Sequence, residues 1–268
     1  MVEEETQEGG LAALLSRTRM VSLIPLATLL VCALAAYPAA AQDARGLYER
    51  KNAFGVFLAY SNDSSHMVLG DAERRKLLEF GAVYNRRLLA GPRVNWQYSA
   101  EIMPVALESD PMTEEVVTQT SPKKATFTLK NLDPLVQCGE FREPYQETDP
   151  QGTVYSGTDL FFCHGRRWTI GQAISPVGFQ WNFRPRRQLQ PFLIGHGGYL
   201  YSTKAIPTVY SGAFNFTFDF GFGVEWFQTA ARSLRLDWRI HHISNHGTAF
   251  ENPGIDNGVL QLSYTFGR

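Results

Sequence analysis

Apolar and polar residues alternate along much of the chain, and the period is two. The clearest run is Phe214, Phe216, Phe218, Phe220, Phe222, Val224 and Trp226, interleaved with Asn215, Thr217, Asp219, Gly221, Gly223 and Glu225. Successive side chains of a strand point to opposite faces, so this run predicts a strand with one greasy and one polar face. Leu234, Leu236, Trp238 and Ile240 alternate with Arg235, Asp237 and Arg239 in the same way. Gly258, Leu260, Leu262, Tyr264 and Phe266 oppose Val259, Gln261, Ser263 and Thr265. Similar patterns around Trp96 and Trp181 complete a reading of eight strands, near residues 52–61, 74–89, 93–108, 171–184, 189–202, 212–228, 233–245 and 257–266. The fifth alternates least, because Phe192, Leu193 and Ile194 are consecutive.

The connections alternate in length as well. Those at 90–92, 185–188 and 229–232 are short, whereas 62–73, 109–170, 203–211 and 246–256 are longer. An even number of antiparallel strands, with short turns on one rim and long loops on the other, predicts an all-β fold: an eight-stranded antiparallel outer-membrane β-barrel. The interior of such a barrel is just wide enough to be filled by side chains. Asp219, Glu225, Arg235, Asp237 and Arg239 are expected to neutralise one another there, with the aromatic face against lipid. A soluble barrel or sandwich, with the aromatic face as its core, is the alternative.

Residues 21–36 form an apolar run that is followed by Pro38 and by Ala39, Ala40 and Ala41. This reads as a signal peptide over residues 1–41, leaving a barrel domain over 42–268. Arg17 and Arg19 supply the positive flank, but Glu3, Glu4 and Glu5 are unusual in one. A start at Met20 explains them; an extended leader is the other reading. No later segment reaches the ~20 apolar residues of a transmembrane helix. The formal net charge of −1 gives no reason to expect nucleic acid as a partner. Cys32 falls in the leader, so Cys138 and Cys163 remain as a disulfide candidate in an oxidising compartment. No CxxC pair suggests a structural zinc site.

Strand parity also gathers a candidate catalytic set. His242 and Ser244 share the greasy face of Leu234 to Ile240, and Asp256 shares that of Leu260 and Leu262. A serine hydroxyl needs an adjacent base, and a histidine can serve if a third group holds its ring. Asp256 meets His242 if the two strands pair side by side. Asn245 and the backbone N–H of His246 or Gly247 are the nearest oxyanion donors. His241 has the opposite parity and points inward, and Glu251 is a fallback for the acid.

The stretch His242, Ile243, Ser244, Asn245, then Asn252, Pro253, Gly254, Ile255, and the ending from Leu260 to Phe266, resembles the lipid A 3-O-deacylase (PagL) family, acyloxyacyl hydrolases. The resemblance implies an eight-stranded outer-membrane barrel with a serine, histidine and acid triad on its outer wall. It implies Ser244 as nucleophile, His242 as base, Asn245 as oxyanion donor, and no metal or other cofactor. The implied partners are lipid A or lipopolysaccharide as substrate and the outer membrane, with the active site at the outer leaflet; a homodimer is left open. Three features depart from the family pattern. Its acid is commonly glutamate, one methylene longer than Asp256; the 109–170 loop is long for so small a barrel; and Gly267 and Arg268 follow Phe266, whereas outer-membrane barrels often end on the aromatic residue itself. A non-enzymatic structural or adhesive barrel, and an esterase of phospholipids, are the rival readings.

Overall fold

The computed structural model describes residues 48–268. The leader read over residues 1–41, with Met20 and Cys32, lies outside the described residues. Ten strands follow: β1 (Asn52–Ser61), β2 (Lys76–Ala90), β3 (Val94–Ser121), β4 (Ala125–Leu132), β5 (Phe141–Thr148), β6 (Val154–Phe183), β7 (Leu189–Ser202), β8 (Phe214–Thr229), β9 (Arg232–Ser244) and β10 (Ile255–Gly267). They form one sheet in the order β4-β3-β2-β1-β10-β9-β8-β7-β6-β5, and β3 also pairs with β6. Setting β4 and β5 aside, the remaining eight strands close into an antiparallel ring. The barrel read from the alternation is the one observed.

The 109–170 connection is a correction. It is not a loop: β3 runs on to Ser121, β6 starts at Val154, and the two stay paired from Ser109 and Trp168 out to Ser121 and Ser156. β4 joins the free edge of β3, and β5 joins that of β6. Val116, Val117, Thr118, Tyr155, Phe161 and Phe162 are β-branched or aromatic, so the ribbon carries its own strand propensity beyond the barrel wall. The turn between β4 and β5 is fastened to β6 by the Cys138–Cys163 disulfide, Cα atoms 5.7 Å apart.

The barrel is polar inside and apolar outside. Phe54, Val56, Leu58 and Tyr60 of β1 lie about half exposed on the outer wall. Inside, Arg239 forks onto the two carboxylate oxygens of Glu101, each at 3.0 Å, and also pairs with Asp237 and Asp219. Arg235 donates to Asn85 at 3.0 Å and to Gln180. Charges withdrawn from water are tolerable only when paired and hydrogen-bonded. The expected pairing of Asp219 and Asp237 with Arg239 is therefore present, with Glu101 as a further partner; Glu225 pairs instead with Arg50. The connections at 91–93, 184–188 and 230–231 lie on one rim, and those at 62–75, 203–213 and 245–254 on the other.

Candidate active site

Strand register builds the site across three neighbouring strands. His242 in β9 lies opposite Asp256 in β10 on one side and opposite Phe218 in β8 on the other. Both His242 and Asp256 carry the outer-wall parity expected of them. His242 Nδ1 is 2.6 Å from Asp256 Oδ1, and the Phe218 ring packs against the imidazole with centroids 4.8 Å apart. Ser244 is two residues further along the same face, opposite Phe216.

An outer-wall position would leave His242 and Asp256 exposed, yet they are only 6% and 0% exposed. The cover is the connection between β1 and β2. The backbone N–H groups of Met67, Val68, Leu69 and Gly70 donate to Asp256 Oδ2 at 3.3, 2.6, 2.9 and 2.9 Å. The same segment is strapped to the start of β10: Ser65 N donates to Asp256 O at 3.1 Å, Asp71 N to Pro253 O at 2.6 Å, and Ala72 N to Gly254 O at 3.1 Å. A Cβ on Gly70 would come within 2.6 Å of Asp256 N, so only glycine lets the two backbones meet. Convergent N–H groups of this kind solvate a carboxylate in place of water. The sequence reading missed this loop, because backbone donors have no residue signature; Gly70 was the one signal in reach.

Ser244 sits where β9 ends and the chain turns, with His246 and Gly247 at φ of 54° and 74°. Its Oγ donates to Asn252 Oδ1 at 3.2 Å and accepts from His246 N at 3.1 Å. Among the described residues there is no hydrogen bond between Ser244 and His242. Asn252 Oδ1 also accepts from Asn245 N at 3.0 Å, so this side chain, not singled out from sequence, ties the turn to the serine. Asn245 is buried, with Nδ2 donating to Glu251 O at 2.6 Å and Oδ1 accepting from Gly247 N at 2.9 Å. Its amide is spent on the loop. The Glu251 carboxylate accepts from Thr208 Oγ1 at 2.7 Å, and His241 is buried on the inward face. The structure thus joins His242 to Asp256, sets Ser244 beside them on one face, and puts the Ser244 hydroxyl in a separate bond.

The matching span in known proteins falls on this same region. Residues 136–265 match the lipid A 3-O-deacylase (PagL) family model. The resemblance read from the sequence holds over that span. It takes in His242, Ser244, Asn245, Asn252 and Asp256, but not residues 67–70 that cover Asp256. No curated protein sequence matches the chain. Among solved structures, the outer membrane enzyme PagL is 12% identical, with 80% of this chain and 99% of that one covered and a TM-score of 0.44. Neisserial surface protein A (NspA) is 9% identical, with 81% and 97% covered and a TM-score of 0.35. An outer membrane channel from Pseudomonas putida F1 is 10% identical, with 84% and 99% covered and a TM-score of 0.28.

Inside the barrel, Glu101, His196 and Asp219 offer ligand atoms within 4.8 Å of one another. Arg239 already bonds both Glu101 oxygens, and His196 is shared between Asp219 at 3.0 Å and Ser99 at 2.9 Å. The guanidinium lies against both carboxylates, so the ligand atoms that a cation would take are already engaged.

Proposed function

We propose that this chain is an outer-membrane serine esterase that removes the ester-linked acyl chain at the 3-O position of lipid A. The observation that carries the reading is the Asp256–His242 pair, aligned with Ser244 on the apolar outer wall within the PagL-matching span. A site on that wall meets its substrate sideways, from the leaflet, and needs no entry into the barrel. With the long-loop rim outside, this is the outer leaflet. Phe214 and Phe216 on β8 and Trp238 and Leu260 beyond the site are exposed to acyl chains there.

The chemistry follows from the partners. Asp256 accepts a hydrogen bond from His242 Nδ1–H, which leaves Nε2 as the basic nitrogen. Ser244 rotates from Asn252 towards that nitrogen, passes its proton to it, and its Oγ bonds to the ester carbonyl carbon. His246 N–H, already directed at Ser244, stabilises the oxyanion. Asn245 Nδ2 reaches the oxyanion only after leaving Glu251 O, whereas His246 N–H is released from Oγ by the same rotation of Ser244. Collapse of the tetrahedral intermediate breaks the bond to the sugar oxygen, which takes the proton back from His242. A water then attacks the acyl-serine by the same route and releases the fatty acid.

The test is the mass spectrum of lipid A from cells that express the chain or its Ser244→Ala variant. Loss of one hydroxyacyl mass, restored in the variant, supports the proposal. Unchanged lipid A with release of phospholipid fatty acid moves the activity to phospholipids. Unchanged lipids of both kinds leave a structural barrel.

A further inference from the structure

The serine, histidine and acid in the PagL-matching span do not by themselves fix the carboxylate of Asp256. Register sets only its Cβ, and one oxygen faces His242 while the other points away from the pair. That second oxygen is where residues 67–70 converge, from a segment outside the matching span. The loop is itself closed at its base: Ser64 Oγ donates to Ala72 O at 2.6 Å and accepts from Arg75 N at 2.9 Å.

Arg75 fixes this base in space. It is fully buried, and its guanidinium bonds the Asp110 carboxylate, Val136 O at 2.8 Å, Leu135 O, and Pro207 O at 3.4 Å. Glu73 N donates to Val136 O at 3.0 Å beside it. Leu135 and Val136 precede Cys138, which is bonded to Cys163 in β6. A continuous path of bonds therefore runs from the β6 wall, through the disulfide, residues 135–136 and Arg75, to the N–H groups on Asp256.

We infer that residues 64–75 are a positioning element for the acid of the triad, with Gly70 as its contact and Arg75 as its anchor. The inference rests on the deacylase reading above. Neither residue touches substrate; both act through Asp256 on the orientation of His242. The shorter aspartate and the loop form one solution, because the N–H groups occupy the space that a longer carboxylate would fill. Reacting groups displaced by about 1 Å can lose ~10²-fold in rate, which sets the scale of the effect.

The experiment is a double-mutant cycle with the full chain in detergent, using lipopolysaccharide in mixed micelles as substrate. Gly70→Ala and Arg75→Lys are each combined with Asp256→Ala, and Ser244→Ala is the control; heat-modifiable mobility on gels verifies folding. Each loop substitution is expected to lower kcat by roughly 10²-fold with KM unchanged, and to add nothing in the Asp256→Ala background. Losses that multiply with that of Asp256→Ala, or a full kcat in Gly70→Ala, overturn the positioning role while the triad stands. Full activity in Ser244→Ala overturns the triad itself and the inference with it. Gly70→Ala leaves the Arg75 ion pair intact, so it carries the test if Arg75→Lys fails to fold.

Discussion

Asp256 faces His242 directly across the β9–β10 pair, and 2.6 Å separates Oδ1 from Nδ1. Directly opposed Cβ atoms in an antiparallel pair are roughly 4.5–5.5 Å apart, a gap that one carboxymethyl group spans. The aspartate is therefore long enough at this register. Asp256→Asn is expected to lower kcat by about 10⁴-fold, since an amide cannot satisfy both the imidazole and the converging N–H groups. Asp256→Glu is expected to lower it as well, by about 10-fold or more, because its extra methylene drives the carboxylate into residues 67–70. Deacylation rates of the two variants check this; a glutamate variant as fast as the parent would show that the loop yields.

Asn252 holds the Ser244 hydroxyl at 3.2 Å and the Asn245 N–H at 3.0 Å with one oxygen. Asn252→Ala removes the acceptor for both and frees the turn that carries His246. The expected outcome is a fall in kcat of roughly 10²-fold with the barrel intact, the size that a misplaced nucleophile produces. Single-turnover rates on lipopolysaccharide measure it. An unchanged rate would mean that Asn252 only parks the serine.

Parity alone made much of this site legible. The row Leu234, Leu236, Trp238, Ile240 carries His242 and Ser244 to the outer wall, and Leu260 and Leu262 carry Asp256 there. Pairing β9 with β10 side by side then sets Asp256 opposite His242. Residues 67–70 were not legible, because they act through backbone N–H groups and sit 186 residues or more from Asp256 in sequence. Residues 109–170 read as a loop because Val116 and Val117 are consecutive, as are Leu160, Phe161 and Phe162, so no sustained alternation of apolar with polar residues marks these strands.

Gly254 has a φ of +65°, and a Cβ there would lie 3.1 Å from His242 Cε1. The left-handed backbone is costly for any residue with a side chain, and the added methyl also presses on the imidazole. Gly254→Ala is expected to lower kcat while leaving heat-modifiable folding in place. If the deacylation rate is retained, the imidazole has room to move and its position is less constrained than the contacts indicate.

Arg239 serves the barrel rather than the site. It is buried among Glu101, Asp219 and Asp237, and it also contacts His196 at 3.2 Å. Arg239→Met keeps most of the side-chain volume but leaves three carboxylates facing one another without the cation that separates them. Removing one partner of a buried ion pair costs about 3–5 kcal/mol, because the remaining charge is stranded out of water. The expected result is a clear fall in the urea midpoint for loss of the heat-modifiable form. Its neighbours on the outer wall are Trp238 and Ile240, and the His242–Asp256 pair lies across the sheet from it, so the fraction that stays folded should deacylate at the parent rate. An unchanged midpoint would show that the interior carboxylates neutralise themselves by taking up protons. A folded but inactive variant would show instead that the interior charge reaches the outer wall.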